Sequence, residues 1–194
     1  MKKIFNSLAL FAFILLLTAC AGKDFVRPTA DTLKMGGTTP GDAVALYGEP
    51  VNQGSELKNG KNIEAYHYAY ASFGSAPLFE GITPARGMNL YFADNVLVGH
   101  EFLSSFKEDH SNFDETRIAD IRKGESTREQ VVGMVGKPSG KYMHPKIEHL
   151  GDRADVYAYM HARGFKFYHK LLVVTYDDHG IVKDVSYETS GKFE

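Results

Sequence analysis

The chain has 194 residues, with 22 Lys and Arg against 24 Asp and Glu, a net charge of −2, and a single cysteine. With no basic excess there is no electrostatic footprint for nucleic acid. One cysteine makes no intramolecular disulfide, so the fold must hold by packing, for which the length suffices.

The chain opens with Lys2 and Lys3 and an apolar run from Ile4 to Leu17 broken only by Asn6 and Ser7. A charged start, a short apolar core and small residues at a cut site describe a secretory signal, too short for a bilayer span. Leu17-Thr18-Ala19-Cys20 resembles the lipobox of bacterial lipoproteins. The resemblance implies cleavage between Ala19 and Cys20, a diacylglycerol on the Cys20 thiol and an N-acyl chain on its amino group. No other cofactor is expected. Residues 1–19 are then the signal and 20–28 a lipidated tether. Ala21, where Asp commonly marks inner-membrane retention, favours the outer membrane of a Gram-negative cell, facing the periplasm. Loss of Lys2 and Lys3 leaves the remainder more acidic, so attachment rests on the acyl chains.

Thr29 to Lys34 reads as a first short helix, and a capped second one follows. Thr39 suits an N-cap with Pro40 at the first helical position, Asp42 can reach back, and Gly48 and Pro50 end the element. Ala65 to Ala71 alternates like a strand, with Tyr66, Tyr68 and Tyr70 on one face. The Gly- and Pro-rich segment from Ser72 to Met88 carries Phe73, Leu78, Phe79 and Ile82; apolar groups on so long a loop suggest a contact surface. Asn89 to Phe92 and Val96 to Val98 form a hairpin around Asp94-Asn95. A polar connector, 103–113, separates this unit (29–102) from a second (114–190).

The second unit repeats the plan. Asp114 to Ile121 reads as a helix, and Thr127-x-x-Gln130 is a capping box leading to Gly136 and Pro138. Val156 to Ala162 is a strand with Tyr157, Tyr159 and His161 on one face; Leu171 to Tyr176 and Ile181 to Val185 return around an acidic turn. At a constant offset of 88, five positions are identical: Gly36/Gly124, Thr39/Thr127, Val44/Val132, Gly48/Gly136 and Pro50/Pro138. The expected fold is α+β: two consecutive units, each of two short helices followed by a three-stranded antiparallel sheet.

Gly-x-x-Thr, a short helix, Gly-x-Pro, a Tyr-rich strand and a final hairpin resemble the SmpA/OmlA family, the BamE-like outer-membrane lipoproteins, over 33–98 and again over 118–185. That family carries one such unit, whereas two are read here. A tandem of similar units also resembles the β-lactamase inhibitory proteins. The resemblance implies a non-catalytic scaffold or accessory factor that binds envelope proteins, with a protein inhibitor as the alternative. Partner-binding candidates are Tyr66, Tyr68, Tyr70, Tyr157 and Tyr159 together with Phe73, Leu78, Phe79 and Ile82. A less favoured reading is a metal-dependent envelope enzyme using His144 and His149, near Glu148, Asp152 and Asp155. Their spacing matches no recognised ligand pattern, and a solvated loop accounts for them. No hydrolase elbow, phosphate loop or dinucleotide fingerprint occurs, and neither a catalytic residue nor a small-molecule substrate is expected.

Overall fold

Eleven elements follow one another in the computed structural model, which describes residues 22–191; Ala19 and Cys20 lie outside the described residues. Helix α1 spans Pro40–Tyr47, and four strands follow: β1 Asn52–Lys58, β2 Lys61–Ala71, β3 Ala85–Ala93 and β4 Val96–Ser104. A 3-10 helix, Glu115–Asp120, and helix α2, Arg128–Val135, precede β5 Gly140–Met143, β6 Arg153–Arg163, β7 Lys166–Tyr176 and β8 Val182–Ser190. All eight strands form a single antiparallel sheet in the order β1 to β8.

This corrects the expected pair of separate three-stranded units. Each half supplies four strands, and one sheet runs through both. Two strands escaped the sequence reading for physical reasons. The sequence of β1, Asn-Gln-Gly-Ser-Glu-Leu-Lys, is exposed at every position, so an edge strand held by backbone pairing to β2 shows no apolar alternation. With only four residues, β5 is too short to show a period. The helical content is also lower than expected. Residues 30–33 form turns rather than a helix, with Leu33 N–H donating to Thr29 O at 3.0 Å, and the segment before α2 is the 3-10 helix.

The positions matched at an offset of 88 have equivalent roles. The Thr39 hydroxyl accepts from Asp42 N–H while Asp42 Oδ2 accepts from Thr39 N–H at 2.9 Å, and Thr127 and Gln130 repeat both bonds at α2. Gly48 (φ 84°) and Gly136 (φ 101°) end the two helices in backbone that only glycine adopts easily. The turn before each helix is clasped to a returning strand. Gly36 N–H donates to Leu97 O and Leu97 N–H to Thr38 O; Gly124 N–H donates to Val182 O and Val182 N–H to Ser126 O.

The halves join through β4 and β5, with Gly99 opposite Tyr142, His100 opposite Lys141 and Glu101 opposite Gly140. A Cβ on Gly140 would collide with the carbonyl of His100, so close approach requires glycine here. The helices pack on one face of the sheet. Ala43 of α1 joins Phe25, Leu33, Tyr68, Leu90 and Phe102, while Val131 and Val135 of α2 join Phe113, Tyr157, Tyr159, Leu172 and Val174. The opposite face carries a third cluster, Ile63, Tyr91, Val98, Leu103, Tyr142, Ile147, Val156 and Ala158, drawn from strands of both halves and the segment after β5.

Candidate functional site

The tyrosine stripes lie on the helix-covered face. Tyr68, Tyr157 and Tyr159 are buried, at 5%, 1% and 1% exposure. Tyr68 packs against Tyr47 of α1 at 5.7 Å between ring centroids, and Tyr157 against Phe113 at 5.8 Å. Burial, foremost, pushes the Tyr68 phenol up to about 12, and raises those of Tyr157 and Tyr159 further. Tyr66 and Tyr70 are half-buried against Phe92 and Phe106. The tyrosine-bearing side of the sheet is thus occupied by the protein's own helices and N-terminal segment. In the loop after β2, Leu78 and Phe79 pack on the second half's helix-side core and Ile82 is buried, whereas Phe73 is 91% exposed.

The connector differs from its polar sequence. Ser104, Ser105, Phe106, Ser111 and Phe113 are buried, and its acids surround a buried arginine. Arg86 binds Asp24 at 2.6 Å, Glu108 at 2.8 Å and Asp109 at 2.9 Å, and lies over the Phe106 ring at 4.2 Å. Burial by itself would lower the guanidinium pKa, but Asp109 and Asp24 outweigh it and hold the group charged.

The helix-free face holds a polar network that no sequence motif announced. Glu101 of β4 is 5% exposed. Its carboxylate accepts from Tyr91 Oη at 2.9 Å, from Tyr142 Oη, and from Asn89 Nδ2 at 2.7 Å. Because Asn89 donates with its amide nitrogen, its oxygen accepts from His67 Nδ1 at 2.8 Å, which assigns the proton to that ring nitrogen. Desolvation, reinforced by the Glu101 charge, raises both phenol pKa values well above the usual range, so both tyrosines stay neutral donors. Lys146 covers the network, its Nζ 3.7 Å from the Tyr91 ring centroid and 2.5 Å from Glu56 on β1. A buried carboxylate with three donors is satisfied, and it ties β3, β4 and β5 together.

Beside this network the sheet curls into a groove of ≈ 530 Å³. Lys58 and Asn59 at the β1–β2 turn line it together with Lys183, Asp184 and Glu188 of β8, so the two edges of the sheet face each other across it. Leu171 and Val173 form its half-buried apolar floor. The segment after β5 closes one end: Asn59 Nδ2 donates to Pro145 O at 2.9 Å and to Ile147 O at 3.0 Å.

His144 and His149 lie in that closing segment. The His144 ring contacts Glu148 O at 3.1 Å, and the His149 side chain is 57% exposed, 4.0 Å from the Glu148 carboxylate. Asp152 is engaged by Lys183 at 2.8 Å and Asp155 by Arg128 at 2.7 Å. Among the described residues, the donor atoms that converge are those of Asp177, Asp178 and His179 in the β7–β8 turn. There the Asp177 carboxylate already accepts from His179 N–H and Ile181 N–H, the ordinary duty of an aspartate in a turn.

Among the described residues no helix is long and apolar enough to cross a membrane. No protein-family model matches the chain, and no curated protein matches it. Among solved structures, one titled as a "putative beta-lactamase inhibitor protein" from Streptococcus mutans is similar at 12% identity, covering 78% of this chain and 82% of that one, with a TM-score of 0.38.

Proposed function

We propose that the protein is a lipid-anchored, non-catalytic binding protein of the Gram-negative cell envelope, held at the outer membrane through Cys20 and facing the periplasm. Its contact surface is the groove on the helix-free face of the sheet, and its partner a folded envelope protein. The observation that carries this reading is the two-faced character of the sheet. One face is filled by the protein's own helices; the other holds an open groove of mixed charge over an aliphatic floor. Apolar floor and charged rim are the anatomy of a protein interface. Around Glu101 the polar groups satisfy one another, which suits a rigid platform better than a reacting centre. The lipobox resemblance supports the location.

Affinity purification of the acylated chain from detergent-solubilised membranes tests the reading. A stoichiometric envelope protein should be recovered, lost with Val173→Glu on the groove floor and retained with Glu129→Lys on the exposed side of α2. Recovery of a soluble hydrolase instead would favour the inhibitor reading. A partner that survives Val173→Glu would refute the assigned surface.

A further inference from the structure

The described chain begins against one end of the sheet. Gly22 packs so closely on β2 that a Cβ there would collide with the carbonyl of Ala69. The residues that follow are pinned. Asp24 binds Arg86, Phe25 is buried against Tyr47 and Phe102, and Arg27 Nη2 donates to the carbonyls of Asp109 and His110 at 3.2 and 3.0 Å. Cys20 is two residues upstream of Gly22 in the sequence. The segment that follows the proposed anchor is therefore fixed to a defined end of the sheet.

That end is also where three aromatic side chains stand in solvent. It is formed by the 72–84 loop, between the end of β2 and the start of β3, and by the β6–β7 turn. The two are bonded together: Thr83 N–H donates to Ala162 O at 3.0 Å, and Arg163 Nη2 donates to Glu80 O at 3.1 Å. Phe165 at the turn is 102% exposed, Phe73 on the loop 91% and Phe167 66%. Arg163 and Lys166 flank Phe165. Exposed phenylalanines clustered at one end suit the interface of a bilayer, where the rings leave water.

We infer that this end of the sheet is its membrane-facing end, with Phe165, Phe167 and Phe73 seated at the headgroup level beside the acyl chains of Cys20. The inference rests on the reading of Cys20 as the anchor and adds an orientation to it. The strands stand away from the bilayer. The groove's closed end, with Asn59, Ile147 and His149, is then carried farthest into the periplasm.

The chain contains no tryptophan, so one substitution creates a unique fluorescent probe. Phe165→Trp and Leu150→Trp, the latter at the opposite end and 84% exposed, are placed separately in the full acylated chain. Each is reconstituted in phosphatidylethanolamine–phosphatidylglycerol vesicles with and without brominated acyl chains. Emission from Phe165→Trp should be blue-shifted and at least roughly twofold quenched by the brominated lipid, and that from Leu150→Trp unchanged. Phe165→Trp emission that stays solvent-like on protein floating with the vesicles overturns the orientation while leaving the anchor intact. Intact-mass measurement and flotation read the anchor itself: a chain without acyl mass that fails to float overturns both. Circular dichroism of each variant confirms that it is folded.

Discussion

The Tyr142 hydroxyl of β5 donates to Glu101 Oε1 of β4 across the ladder that joins the two halves of the chain. That bond ends in a carboxylate which also holds Tyr91 and Asn89 from β3, so one buried charge is shared by strands on both sides of the junction.

Removing it should be expensive. Glu101→Ala strands three donors in the interior and should destabilise the fold by about 3 kcal/mol or more, whereas Tyr142→Phe leaves two of the three bonds and should cost about 1–2 kcal/mol. Urea denaturation of both variants and of their combination measures this. The second change should cost almost nothing once Glu101 is gone, because the partner it loses is already absent.

Gly140→Ala should act on the same junction by a different route. The added methyl meets the backbone carbonyl of His100, which has no flexible end to yield, so the β4–β5 ladder must separate locally. A loss of about 2 kcal/mol or more is expected, with faster amide exchange along β4 and β5 than along β7. Wild-type exchange rates in the variant would contradict the required close approach.

The paired helix caps should behave as two copies of one device. Thr39→Ala and Thr127→Ala should each cost about 1 kcal/mol and lower Tm by roughly 2–4 °C. The sites belong to separate helices with no shared bond, so the double variant should show the sum. A calorimetric series decides it.

Acid should weaken the fold through His100. On β4 it pairs with Leu90 of β3 and Lys141 of β5, and Lys141, Arg27 and Lys34 line the same recess. Desolvation, then the Lys141 charge, pushes its pKa down from 6.5 to about 4. Between those values the unfolded chain binds a proton that the folded chain refuses, so stability falls as pH drops through this window. The loss is complete below the lower value and amounts to about 3 kcal/mol. His100→Gln should lack this component. The difference between wild-type and variant stability, followed from pH 7 to pH 4, should therefore shrink or change sign; a constant difference would rule the assignment out.

Cys20→Ser should release the protein from membranes into the soluble fraction, because without acyl chains no strong basic attraction replaces them. Sucrose-gradient flotation of spheroplast lysates reports it, and a variant that still floats quantitatively would refute the anchor.

Legibility followed the range of the interactions. The helix ends could be read because Thr39 with Asp42 and Thr127 with Gln130 are bonded three residues apart, and Gly48 and Gly136 act on their own backbone angles. The tyrosines' shared face could also be read from their alternation. Which side was covered could not, since Tyr157 is buried by Phe113 from 44 residues upstream in the chain. Glu101 gave no signal either. Its three donors arrive from positions 89, 91 and 142, and only pairing of the strands brings them within reach.

The capped helices, the acidic turns and the internal offset of 88 were legible along the chain, all products of local backbone chemistry. That eight strands make one sheet rather than two, which face the helices cover and where the groove opens were settled only by packing across the fold. Those choices depend on backbone ladders such as β4–β5 and on an edge strand with no apolar pattern, and pairing between distant segments leaves no period in the chain that forms it.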